Sequence, residues 1–144
     1  MPIIRDLPIK LEEGEVLRQA GFRKKPMPWP DMIKRVRELI RTVHEGSLLQ
    51  PAVSYELFSV VGFDKNKFSL GSNMELQVPI QSDTKELALV VCTIGHRIEE
   101  KAAELFAIGE RLNGWIMDCI GSAAVETLTQ EACEKVKHEA ADSS

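Results

Sequence analysis

The sequence predicts an α+β fold: an antiparallel β meander with packed helices, one of them a long C-terminal helix. Three observations predict it. Leu112 to Cys133 holds Ile116, Cys119, Ile120, Ala123, Ala124, Thr127 and Leu128 at helical spacing with no proline. Ala52 to Ile80 is rich in β-branched and aromatic residues and is broken by turn-forming clusters. Leu87 to Ile94 is a continuous apolar run, the pattern of a strand buried on both faces.

In chain order, Pro2 to Leu11 alternates loosely and reads as extended. Glu12 to Ala20 is a short helix whose acidic start suits the positive end of the helix dipole, with Gly21 as its C-terminal stop. Phe22 to Trp29 is a loop carrying Arg23-Lys24-Lys25, a solvated basic patch. Pro30 opens the next helix, with Met32, Ile33, Val36, Leu39, Ile40 and Val43 as its apolar face. Lys34, Arg35, Arg37, Arg41 and His44 lie on its wet side, and Gly46 ends it.

A strand follows from Ala52 to Val61, then a turn at Asp64 to Asn66. Lys67 to Leu70 and Met74 to Ile80 continue the sheet across a break at Gly71 to Asn73, and Pro79 marks a strand end or edge. Ser82 to Glu86 is a polar connection. Beyond Gly95, Arg97 to Ile108 is a helix with Ile98, Ala102, Leu105 and Phe106 on one face, and Gly109 separates it from the long helix. In that long helix Trp115 joins the apolar stripe. Gly114, Asp118, Gly121, Ser122 and Val125 form a small-residue strip, so two faces are expected to be covered. Lys135 to Ser144 turns polar, and residues 139–144 are expected to fray.

The 144 residues fit one domain, and 44% hydrophobic residues can build a core. A net charge of −4 excludes a nucleic-acid binder driven by bulk charge. Residues 1–50 nevertheless carry ten Lys/Arg against seven Asp/Glu, and the remainder eight against fifteen. No apolar run approaches the length of a membrane span. Cys92, Cys119 and Cys133 sit in apolar runs and read as reduced core thiols, which places the chain in the cytoplasm.

Three residues are candidates for binding: Thr93, Gly95 and Asp118. Thr93-Ile94-Gly95 joins a strand to a helix, an arrangement in which a backbone turn can meet a ligand. It lacks a GxGxxG or GxxxxGK[ST] pattern, so a plain strand-to-helix turn is the favoured reading. Asp118 lies among apolar neighbours. A buried carboxylate there needs donors, either to tie down a loop or to hold a ligand, and Arg18 and Arg97 are the first partners to consider. Cys92 with His96 and Cys133 with His138 lack the companion pair of a zinc site, and no metal ligand or catalytic residue is assigned.

Glu15-Val-Leu-Arg-Gln-Ala-Gly-Phe22, Val91-Cys-Thr-Ile-Gly95 and Met117-Asp-Cys-Ile-Gly-Ser-Ala-Ala-Val-Glu126 together resemble the activation (reactivation) domain of vitamin B12-dependent methionine synthase. The likeness runs over about residues 3–138 and is closest to the stand-alone bacterial type. The resemblance implies an accessory protein rather than a complete enzyme. It implies cobalamin held by a partner, S-adenosylmethionine as methyl donor, and a flavodoxin-type electron donor. The partner would be a cobalamin-binding methyltransferase or the methionine synthase core, with no nucleic acid and no membrane involved.

The sequence departs from that family twice. The family's Arg…Gly-Tyr motif for S-adenosylmethionine follows the long helix, whereas this sequence ends at Ser144 before one. The family's carboxylate beyond the first helix is replaced by Gly21-Phe22-Arg23. The expectation is therefore the N-terminal portion of such a domain, binding S-adenosylmethionine weakly or not at all. The alternative is a non-catalytic docking module for a corrinoid protein. No S-adenosylmethionine contact is carried over to any residue.

Overall fold

The computed structural model describes residues 3–5, 7–22, 29–64, 67–70, 74–77 and 85–142. The elements are β1 (Ile3–Ile4), α1 (Glu13–Gln19), α2 (Pro30–Glu45), β2 (Ala52–Asp64), β3 (Lys67–Leu70), β4 (Met74–Gln77), β5 (Glu86–Thr93), α3 (Arg97–Ala107) and α4 (Arg111–Asp142). The fold is α+β, as the two hydrophobic periods predict. β2, β3 and β4 form an antiparallel meander, and β1 and β5 both pair antiparallel with β2. β2 and β5 run in continuous register from Ala52↔Thr93 to Ser59↔Glu86. The basic tripeptide at 23–25, Lys65 and Asn66, Gly71 to Asn73, Val78 to Ile80 and Ser82 to Thr84 lie outside the described residues.

α4 organises the packing. α1, α2, α3 and β5 all lie against it. Its Ile116, Met117, Ile120, Ala124 and Leu128 are fully buried, together with Val16 of α1 and Met32 and Val36 of α2. Ile98, Ala102 and Leu105 of α3 complete this core, with Val53 and Ile94 from the sheet side. No polar or charged side chain is buried among the described residues, and the buried thiol of Cys119 belongs to the core. The helices are laced together at their rims instead. Arg37 Nε of α2 donates to Glu13 Oε2 of α1 (2.6 Å), and Arg35 Nη1 donates to Asn113 Oδ1 at the start of α4 (3.2 Å).

The helix ends follow backbone chemistry. Gly21 has φ +94°, and the N–H groups of Gly21 and Phe22 donate to the carbonyls of Arg18 and Leu17 (3.0 and 2.9 Å). Gly109 (φ +87°) ends α3 in the same way, with N–H groups of Gly109 and Glu110 reaching Phe106 and Leu105. At α2 the left-handed residue is Ser47 (φ +50°) rather than Gly46, which stays right-handed. Ser47 and Leu48 close that end on His44 and Val43.

Several expectations are corrected. β5 is not buried on both faces: Val90, Cys92 and Ile94 face the helices, while Val91 is 61% exposed on the other side. β2 extends to Asp64, beyond the predicted Val61, with an irregularity between Val60 and Gly62. Trp115 leaves the apolar stripe and is 41% exposed, off the face on which Ile116, Ile120, Ala124 and Leu128 are buried. Phe106 is likewise half-exposed, its ring resting against Gly114. Cys133 is exposed, whereas Cys119 is buried. α4 continues as helix to Asp142, so residues 139–142 belong to it rather than to a frayed tail.

Candidate functional site

β5 ends where α3 begins, and both run against the middle of α4. The junction leaves a cleft of about 560 Å³, a size suited to a small organic ligand. Cys92, Thr93, Ile94 and Gly95 form one wall and Ile98 and Glu99 the second. Met117, Asp118, Gly121, Ser122 and Val125 of α4 form the third. The three candidates, Thr93, Gly95 and Asp118, thus meet on one cleft although 25 positions separate the first from the last.

The turn is built for shape. Gly95 sits at φ +82°, and a Cβ there would lie 2.8 Å from Gln50 Cβ and 2.9 Å from Gln50 Oε1. Glycine is therefore required both by conformation and by the close approach of Gln50. The Gly95 N–H donates to Thr93 Oγ1 (3.1 Å), and the Gln50 N–H donates to the Ile94 carbonyl (2.7 Å). The Gly95 N–H is consequently already engaged. The cap residue of α3, His96, makes no side-chain cap bond, and Glu99 and Glu100 occupy the first turn. An anion approaching this helix end would meet Glu99, so the helix dipole is offset by the protein's own carboxylates.

Asp118 is exposed rather than buried, and its carboxylate makes no hydrogen bond or ion pair with another described residue. Arg18 instead bonds Glu15 and Glu126, and Arg97 Nη1 donates to the Ser47 carbonyl (3.4 Å). The reason is angular: 118 lies on the cleft side of α4 with Ser122 and Val125, off the buried face that includes Ile116, Met117 and Ile120. Beside it, burial and then the Asp118 charge push the Cys119 thiol up from its ordinary value, so it stays protonated at neutral pH.

The cleft thus has two carboxylates, Glu99 and Asp118, and among the described residues no Lys, Arg or His lines it. Ile94, Ile98, Met117 and Val125 supply an apolar floor. Such a surface favours a ligand with positive charge on an apolar body and disfavours phosphates and free carboxylates. Glu99 was not singled out in the sequence; its signal was its place in the first turn of the helix after Gly95.

A second polar cluster lies across α4. Glu126 Oε2 accepts from Arg18 Nη2 (2.9 Å) and from Gln19 Nε2 (2.5 Å). These bonds join the first and third of the resembling segments, while the cleft joins the second and third. Among the described residues no group of three His, Cys, Asp or Glu side chains is placed to hold a metal ion. No helix of the described residues is long and apolar enough to cross a membrane. The sequence matches no model of a known protein family and no curated protein.

Proposed function

We propose that this chain is an accessory module for a cobalamin-dependent methyltransferase, of the methionine synthase type, supporting reductive remethylation of the corrinoid. The observation that carries this reading is the convergence of the three resembling segments. Glu15 to Phe22 and Val91 to Gly95 lie far apart in sequence, yet both pack on Met117 to Glu126 of α4. Segments that share a likeness and also meet on one helix, the first at Glu126 and the second at the cleft, are selected as a unit more readily than as three separate pieces of scaffold.

In this reading the partner holds the cobalamin, and a flavodoxin-type donor supplies one electron to cob(II)alamin. S-adenosylmethionine then methylates the reduced cobalt. The chemistry belongs to the cofactor, while the module contributes binding and orientation. The cleft fits part of the methyl donor. Glu99 and Asp118 suit its sulfonium and ammonium charges, and the apolar floor suits its adenine. Its carboxylate finds no cation in the cleft lining, so the chain alone binds it weakly and the partner completes the site.

The second reading is a docking module that carries no S-adenosylmethionine, favoured by that same missing cation and by Gly21-Phe22-Arg23 in place of the family's carboxylate. The three unpaired cysteines support a cytoplasmic setting for either reading. The test is spectroscopic. A cobalamin-binding methyltransferase is poised as cob(II)alamin with reduced flavodoxin and S-adenosylmethionine, and methylcobalamin formation is followed by absorbance. The proposal expects the chain to accelerate it; methylation at the same rate without the chain contradicts it.

A further inference from the structure

Two walls of the cleft, the end of β5 and the start of α3, share one support: the loop between α2 and β2. Leu48 and Leu49 of that loop are half-buried against the core, which anchors it. From this anchor the Ser47 carbonyl accepts from Nη1 of Arg97, the first residue of α3 (3.4 Å). The Gln50 N–H donates to the carbonyl of Ile94, one residue beyond β5 (2.7 Å). Pro51 follows Gln50, and a residue before proline is steered from helical into extended backbone. The path of the loop toward β5 is therefore written into the sequence.

The turn between the two walls needs a brace. Gly95 has the backbone freedom of glycine, and its N–H is held by Thr93 Oγ1, two residues back (3.1 Å). That bond shapes the turn without tying it to another element. Gln50 does tie it: its Cβ and Oε1 lie 2.8 and 2.9 Å from where a Cβ on Gly95 would stand. Gln50 is outside the cleft lining, whereas Gly95 is part of it. Whatever Gln50 does for a ligand it does through Gly95.

We propose that Gln50 is a positioning residue, which braces Gly95 and so fixes the wall that Thr93, Ile94 and Gly95 present to the ligand. This role rests on the reading of the cleft as the methyl donor's site. A preformed wall binds more tightly than one the ligand must order for itself.

Gln50→Ala tests this with two readouts. The variant keeps the backbone bond to Ile94 and removes the end of the side chain that lies against Gly95. The first readout is iodoacetamide labelling of the chain alone, followed by mass mapping, because half-buried Cys92 lines the cleft. Gln50→Ala is expected to speed Cys92 labelling about tenfold by local opening, with Cys119 still slow and the denaturant midpoint unmoved. Gln50→Met, which restores the length of the side chain, is expected to return the rate to that of the wild type. The second readout is calorimetric titration of S-adenosylmethionine into the chain with a cobalamin-binding methyltransferase. There Gln50→Ala is expected to weaken binding about tenfold, and Gln50→Met to restore it. If the wild-type pair takes up no S-adenosylmethionine, the function proposed above falls and the labelling decides the brace alone. Unchanged Cys92 labelling in Gln50→Ala overturns the proposal. A rise matched by Cys119 overturns it too, since the helices would then be loosening as a whole. Unchanged affinity in a pair that does bind overturns it equally.

Discussion

The helical layer and the sheet obey different rules in this molecule. Around α4 the apolar side chains are enclosed from several directions, and Ile120 and Leu128 have no exposure at all. Along β2 and β5 enclosure fades with distance from the helices: Val53 is 1% exposed, while Leu57, four residues on, is 41% exposed. β2 runs on through Asp64 to carry β3 and β4. In the layer side-chain burial fixes the structure, whereas at Leu57 of β2 and Val91 of β5 the backbone ladder carries more of it. The candidate cleft lies where the two regimes meet, at the last residues of β5.

The largest effects should separate the two regions. Leu128→Ala or Ile120→Ala should each cost about 2 to 5 kcal/mol, since each leaves a cavity in an enclosed site. Val91→Thr should stay within about 0.5 kcal/mol, as for other exposed positions. Denaturant midpoints measure both, and a Val91 variant as damaging as the Leu128 variant would break the comparison.

The next test sharpens it inside α4. A Cβ at Gly121 would meet nothing nearer than 3.6 Å, whereas one at Gly114 would meet the Phe106 ring at 3.0 Å. Gly121→Ala should therefore stabilise by up to about 1 kcal/mol through helix propensity, and Gly114→Ala by clearly less or not at all. Equal midpoints would mean that the Phe106 ring moves aside freely. Gly121 accordingly does not owe its presence to crowding, contrary to what its place in a helix interior suggests.

Asp118→Asn should change stability by no more than about 0.5 kcal/mol, because the carboxylate is exposed and unpaired. A larger loss would place a partner on it. The smallest perturbation is chemical labelling. Under native conditions at mildly alkaline pH, iodoacetamide should modify exposed Cys133 first and Cys119 last. Burial and the neighbouring Asp118 keep the Cys119 thiol protonated above the usual thiol range. Mass mapping reads the order, and early labelling of Cys119 would show that α4 opens.

Periodicity located the helices and the strands because it records which side chains share a face. It placed α4 and the meander, and glycine chemistry placed the turns at Gly21 and Gly109. It did not reveal whether a second layer covers a given face. That is why Trp115, Asp118 and Val91 read as interior residues and stand at the surface. Ser47 was missed because serine carries no strong left-handed signal, and the glycine beside it does. The cleft was half legible: Thr93, Gly95 and Asp118 could be named, but Glu99 and the lack of a cation among the described lining residues appear only once α3 and α4 lie together.

The central claim is that this cleft is an incomplete site for S-adenosylmethionine, completed by a corrinoid partner. Calorimetric titration of S-adenosylmethionine tests it most directly, into the chain alone and into the chain with a cobalamin-binding methyltransferase. The account predicts no measurable heat for the chain alone and saturable binding for the pair, abolished by Asp118→Lys. Micromolar binding to the chain alone, competed by S-adenosylhomocysteine, would contradict the incompleteness of the site, and no binding in either titration would contradict the site itself.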